Sequence, residues 1–397
     1  MSVRPDSNEN SMIVGDGGKK TSLSIFRKRG RVDVVFLALI LGLLTTGLVM
    51  LFSASYAHAY YIYGNSYHFI IKQAEFAVVG LLLMWLISHV DYRVLKKFGL
   101  PWILYGLSIV MLIAVLLMPT LSEGFDYKRW IKIGTFSFQP SEIAKFAIIL
   151  LFAYLISKNY DKMKKFTTGV LPYVGLLGLV CILVVLEPHL SATILIFLIG
   201  LVMMSVGGAK LGWVIFSLGV LGAGGFAAIM TGIVDYGRDR IMYWFDPFAD
   251  ASDKGYQTVQ SLLAIGSGGL FGRQLGESRQ KYLWVPEPHN DFIFSIICEE
   301  LGFIGAAIII IAFAVLVWRG VMLASRARDK FGAMLVVGLT FQIGIQAALN
   351  ILVVTNTIPN TGISLPFFSY GGTALLMLLA QMGVVLSVSR ECRISKQ

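Results

Sequence analysis

Ten stretches of this chain are apolar for about the length at which a helix crosses a bilayer, near residues 34–52, 69–90, 101–118, 142–157, 168–186, 190–207, 211–232, 291–318, 332–354 and 365–389. The pattern predicts an all-α integral membrane protein, a bundle of about ten transmembrane helices filling residues 32–390. The one long polar interval, 233–290, predicts a large loop between helices 7 and 8. Residues 1–31 are polar, rich in Ser, Gly and Asn, and end in Arg27, Lys28, Arg29 and Arg31, so a disordered basic tail is expected there. A second short tail is expected at 391–397. Ala57-His58-Ala59 resembles a signal-peptidase site, but the 19 apolar residues at 34–52 exceed a signal-peptide core, which predicts an uncleaved first span.

The basic residues orient the array. Of 33 Lys and Arg, 22 fall in the tails and the even-numbered connections, and nine fall on the other side, six of them within 233–290. The excess marks the side that stays inside, so both termini are expected in the cytoplasm and the long loop outside it. This distribution accounts for the net charge of +10 as a topology signal, and no nucleic-acid partner is expected. With 56% apolar and 14% charged residues, the soluble globular class is excluded. Cys181, Cys298 and Cys392 are too scattered to suggest a disulfide framework or a metal site.

Polar residues at membrane depth then stand out. Lys72 with Glu75, and Glu142 with Lys145, are each three apart and share a helix face, where they can neutralise one another. Glu299 and Glu300 lie about 12 to 14 Å along a helix from Asp291, using a rise of about 1.5 Å per residue. Such groups mark either a functional path or ion pairs that hold the bundle together. Asp291 itself sits at the seam between the polar loop and the eighth apolar run, near Glu287 and His289. It can be a general base whose carboxyl holds its proton because it is crowded and dry, or an N-terminal helix cap beside Asn290. Arg238, Arg240, Lys254, Arg273, Arg279 and Lys281 accompany aromatics in the long loop, a mixture that suits an anionic amphipathic ligand or a helix lying on headgroups.

Four segments carry a resemblance. They are Arg129-Trp130-Ile131 with Gln139-Pro140-Ser141-Glu142 and Lys145; Gly255-Tyr256-Gln257 through Gln260-Ser261 to Gly269; Pro286-Glu287 with His289, Asp291 and Glu299-Glu300-Leu301-Gly302; and Pro359 through Gly372, including Ser369. In order and spacing the chain resembles the shape, elongation, division and sporulation family, that of FtsW, RodA and SpoVE, from about residue 33 to 390. The resemblance implies a peptidoglycan glycosyltransferase that polymerises lipid II at the outer face of the bacterial cytoplasmic membrane, with inversion at the anomeric carbon. It implies Asp291 as the base. Arg129, Lys132, Lys145, Arg240 and Lys281 are its candidates for stabilising the diphosphate leaving group, and Glu142, Gln257, Gln260, Ser261, Glu287, His289 and Ser369 complete the expected substrate-binding set. It further implies a class B penicillin-binding transpeptidase and other division or sporulation proteins as partners. No cofactor is certain, and a divalent cation, Mg or Mn, is left open.

The chain departs from the family pattern in three places. Glu187-Pro188-His189-Leu190-Ser191 stands where many relatives have Gln-Pro-Asp-Leu-Gly, Gln274 replaces a frequent glycine, and Arg238 is one place off a frequent arginine. Two other functions compete: a lipid II flippase or other transporter, which would depend on Glu299 and Glu300 more than on Asp291, and a non-catalytic division scaffold, which would need neither.

Overall fold

The computed structural model describes residues 30–118, 129–133, 136–230, 235–250, 255–282 and 284–392. Most of the expected basic tail, the end of the C-terminal tail, and Lys254 therefore lie outside the described residues, as does the side chain of Arg238. The chain is helical: α1 (Val34–Tyr63), α2 (His68–His89), α3 (Leu100–Leu117), α4 (Pro140–Asn159), α5 (Leu171–Leu186), α6 (Leu190–Val206), α7 (Leu211–Met230), α8 (Asp235–Phe245), α9 (Tyr256–Gly268), α10 (Ile293–Ser325), α11 (Lys330–Val354) and α12 (Gly372–Ser389). Among the described helices, α1 to α5 and α10 to α12 are long and apolar enough to cross a membrane, while α6 and the apolar part of α7 are shorter. The ten expected spans are thus all helices, and α8 and α9 lie in the loop between the seventh and eighth. A small antiparallel hairpin, β1 (Ile131–Ile133) on β2 (Phe136–Phe138), precedes α4 with Ile131 opposite Phe138. No alternation in the sequence signalled it.

The first span shows how local chemistry sets an element's length. Asp33 caps α1 by accepting from the Phe36 amide at 2.8 Å, and Gly64, at φ +69°, ends it in the left-handed conformation that glycine adopts without strain. Between these caps the helix runs for 30 residues, about 45 Å, well past the apolar run. Ala57-His58-Ala59 is part of it, with Ala59 buried.

α4, α11 and α12 are the most enclosed spans, and α2 and α3 show most of their surface to the surroundings. α11 packs on α4, α6, α10 and α12, and α12 lies along α2. With no water to drive helices together in a bilayer, close packing and polar contacts hold such a bundle. One end is tied by ion pairs, Arg319 to Asp33 at 2.6 Å and Arg93 to Asp329 at 3.0 Å and Glu391 at 2.9 Å. Burial pushes the Asp33 and Asp329 carboxyls up, but hydrogen bonds outweigh it, from Arg319 and the Phe36 amide to Asp33 and from the Gly332 amide and Arg93 to Asp329, and both are held below the usual carboxylate range.

α10 is broken at Gly302, whose φ of +67° is not helical. Inside a membrane protein the freed backbone groups must find partners. The loop after α9 supplies them: Arg273 and Gln274 donate backbone N–H to the carbonyls of Glu299 and Glu300 at 3.0 and 3.1 Å, and Phe303 and Ile304 donate to Gly269 and Leu270 at 2.9 and 3.1 Å. The two backbones meet so closely that a Cβ on Gly302 would lie 2.2 Å from the Gly272 nitrogen. Gln274 belongs to the same turn and takes a φ of +82° without being glycine. Its departure from the family pattern therefore falls on a position where any side chain is strained.

Candidate active site

At the end of the bundle opposite those ion pairs, Arg129, Arg240, Gln257, Glu287, Asp291 and the Asn360–Gly362 turn line a pocket of about 160 Å³. Pockets that enclose a whole drug-sized ligand run to about 300–1,000 Å³, so only the reacting part of a larger substrate fits here. The pocket draws its residues from five separate parts of the chain, and hydrogen bonds, most of them to backbone carbonyls, fix them. The Arg240 guanidinium donates to the Asn360 carbonyl at 2.8 Å, and Asn360 donates to Gln257 at 3.4 Å. Trp244 and Asn356 exchange hydrogen bonds with each other's carbonyls at 3.0 and 3.2 Å, which pins α8 to the end of α11. Asn350, buried in α11, donates to the carbonyls of Asp291 and Ile363 at 2.7 and 2.6 Å.

Asp291 is the chemical centre of this arrangement. The N-cap of α10 is Phe292 and no side chain caps it, so the capping reading of Asp291 is not realised. Asn290, the other capping candidate, donates instead to Glu287 at 2.7 Å. The Asp291 carboxylate faces the pocket, and it leaves so little room beside it that a Cβ on Gly362 would come within 3.1 Å of Oδ2. Burial, then the negative charge of Glu287, raise its pKa to about 6, while Arg129 and Arg240 pull in the other direction. A carboxylate titrating there accepts a proton more readily than one in water, yet is mostly ionised at neutral pH. No group of three or more His, Cys, Asp or Glu among the described residues is placed to hold a metal ion.

Several expected residues stand elsewhere. Lys145 is buried and pairs with Glu142 at 2.7 Å near the head of α4, and neither lines the pocket. If the pair is mutually supporting, removing either partner is expected to cost about 3–5 kcal/mol and removing both less than the sum. A double-mutant cycle on thermal unfolding checks this, and strict additivity would mean no coupling. Lys72 and Glu75 form no such pair: Lys72 lies 3.2 Å from His68 on an exposed face. Ser261 donates to the Val354 carbonyl at 2.8 Å, joining α9 to α11, and Gln260 is buried. Ser369 accepts from the Leu365 amide and donates to the Asn290 carbonyl at 2.7 and 2.8 Å. The His289 ring is buried between His58 and Phe69, with burial first and His58 second driving its pKa down to about 3. The Lys132 side chain lies outside the described residues.

Lys281 and the glutamates of α10 form a separate buried centre. The Lys281 ammonium has no exposed surface and lies 2.8 Å from Glu300, with the Gly276 carbonyl and the Ser53 hydroxyl as further acceptors. Glu299 accepts from Ser278 and from the amides of Arg279 and Gln280. The sequence suggested a leaving-group cation and two transport carboxylates; the structure ties all three into the junction between the long loop and α10. The residues missed in the sequence, Asn350, Asn360 and Gly362, hold backbone in place. Asn350 left a signal, as one of three amides with Gln342 and Gln346 in an apolar run, where unpaired polar groups are expensive, and Asn360 and Gly362 fall in the segment that carries the family resemblance.

Fold and pocket together define a polytopic helical membrane protein with a carboxylate and two arginines lining one pocket where its helices end. Residues 34–394 match the FtsW, RodA and SpoVE family, described as "Cell cycle protein", and the chain belongs to that family. It is 38% identical over 371 residues to stage V sporulation protein E of Bacillus subtilis (strain 168), covering 92% of this chain and 99% of the relative. It is 36% identical over 361 residues to a probable peptidoglycan glycosyltransferase FtsW of Geobacter sp. (strain M18), covering 91% and 97%. Among solved structures it is similar to a chain of a complex described as "Structural coordination of polymerization and crosslinking by a peptidoglycan synthase complex", with a TM-score of 0.74, 26% identity and coverage of 90% and 98%. The rod shape determining protein RodA of Thermus thermophilus matches with a TM-score of 0.64, 26% identity and coverage of 92% and 98%.

Proposed function

We propose that this chain is a peptidoglycan glycosyltransferase that polymerises lipid II at the outer face of the cytoplasmic membrane, in division or sporulation, with residues 32–390 as one membrane domain. The observation that carries the proposal is the Asp291 carboxylate, open to a pocket that Arg129 and Arg240 also line. Asp291 takes the proton from the 4-hydroxyl of the acceptor sugar as its oxygen bonds to the anomeric carbon of the donor. The bond from that carbon to the diphosphate oxygen breaks, and its electron pair leaves with the lipid diphosphate. Arg129 and Arg240 offset the charge that develops there. One displacement inverts the carbon, so no covalent carboxylate intermediate is needed. Labelled lipid II incubated with the purified chain and a penicillin-binding transpeptidase partner should yield a ladder of glycan strands; absence of polymer would remove the activity. The transporter reading is disfavoured because Glu299 and Glu300 are already held by the loop, through the Arg279 amide and the Lys281 ammonium.

The orientation has its own test. Glu277 is exposed in the long loop, and Lys164 is exposed at the other end of the bundle. Glu277→Cys in intact protoplasts is expected to react with an impermeant thiol reagent and Lys164→Cys to stay unlabelled. The reverse labelling would invert the topology.

A further inference from the structure

The turn between α5 and α6 is only Glu187-Pro188-His189, yet it touches both halves of the pocket. The Arg129 guanidinium donates to the Pro188 carbonyl. Two residues beyond His189, Ser191 donates to the Gly362 carbonyl at 3.2 Å, and Gly362 lies against the Asp291 carboxylate. Within this turn the Glu187 carboxyl is fully buried, and neither of its oxygens has a hydrogen-bond partner. A carboxyl so placed is either neutral or must find a cation. Three cations surround the turn: Arg129 ahead of β1, Lys145 on α4 and Arg240 on α8 all bear on His189. Only Arg129 bears on Glu187 itself. Lys145 already has Glu142 at 2.7 Å, and Arg240 is turned to Asn360.

We propose that Glu187 is a positioning residue that governs Arg129: protonated, it leaves the guanidinium to the diphosphate of the substrate, and ionised, it takes the guanidinium for itself. The inference rests on the leaving-group role given to Arg129 above. Glu187 and the diphosphate thus compete for one cation, and the proton on Glu187 decides the competition. Burial raises the Glu187 carboxyl to about 8, with Arg129 opposing, so this proton is lost just above neutral pH. Below that range Glu187 is neutral and diphosphate binding is at full strength; above it binding weakens in proportion to the fraction still protonated.

The test is binding of undecaprenyl diphosphate to the full-length purified protein at pH 7 and pH 9, in wild type and Glu187→Gln. In wild type, affinity should fall about tenfold between the two, because only about a tenth of the protein keeps the competent, protonated form at pH 9. In Glu187→Gln that fall should vanish, since the amide cannot ionise; ionisation of the diphosphate is common to both proteins and cancels. With lipid II as substrate the same difference should appear in KM. If Glu187→Gln does not fold, Glu187→Met fills similar space without charge and serves in its place. An equal fall in wild type and variant, or no fall in wild type, overturns the inference while leaving the diphosphate site standing. No binding by wild type at either pH overturns the diphosphate site itself and the inference with it.

Discussion

Asp291→Asn is expected to fold and insert normally while glycan polymerisation drops by about 10² to 10⁴, the usual worth of a positioned base. The substitution keeps size and shape, so Asn350 still finds the Asp291 backbone carbonyl and the turn at Gly362 keeps its spacing. Only the capacity to take a proton is lost. Stability should move the other way. The carboxyl is raised in the fold from its ordinary value to about 6, so ionising it opposes folding, and its favourable contribution is present at low pH and lost as pH rises through 6. An amide escapes that loss, and at pH 7 the variant should melt no lower than wild type. Activity of the wild-type protein should rise through the same pH range, with about a tenth of the neutral rate left one unit below the midpoint. Strand formation from lipid II and a melting curve on one preparation check both claims. Near-normal polymerisation would end the assignment of Asp291 as base, and loss of both activity and stability would make it structural.

What the sequence disclosed follows from what each residue costs where it stands. Membrane spans are legible because an uninterrupted apolar run has few other uses, and the charge asymmetry across them is additive along the chain. Asp291 stood out by its place at a seam, beside Glu287 and His289, but the residues there left capping and base catalysis both open, and only the family resemblance implied the base. The break at Gly302 was not, since glycine inside an apolar run is common and its conformation depends on a loop 30 residues earlier folding onto it. Lys281 misled for a related reason. A cation among aromatics on a loop suits an anion, and nothing local to it shows that the chain doubles back to place Glu300 beside it. The Pro359–Gly372 segment carried the family resemblance, but its physical task became visible only in the fold, where the Asn360 carbonyl holds the Arg240 side chain, and the Ser369 hydroxyl and Tyr370 amide donate to the carbonyls of Asn290 and His289. Glu187 was noticed as a departure, and its burial beside Arg129 could not be read from neighbours in sequence.

Lys281→Met should be the most destabilising single change outside the helix cores. Glu300 is as fully enclosed as Lys281, and its other contacts, the Ser53 hydroxyl and a longer approach from the Ser278 amide at 3.4 Å, are neutral. Removing the ammonium strands a buried carboxylate, which costs about 3–5 kcal/mol, enough to lower the unfolding midpoint by several degrees. Glu300→Gln should cost a comparable amount by stranding the ammonium. The double variant Lys281→Met, Glu300→Gln should recover much of the loss, because a buried pair replaced by neutral groups is often close to neutral in stability. The effect should reach the active site indirectly. The loop held by Lys281 also supplies the amides that cap the broken α10 ladder, and α10 begins two residues after Asp291. Polymerisation should therefore fall with stability in Lys281→Met and return with it in the double variant. A leaving-group cation would behave differently: Lys281→Met would keep its melting temperature and lose activity, and the second substitution would restore nothing. Melting curves and lipid II polymerisation across the four proteins of the cycle separate the two roles.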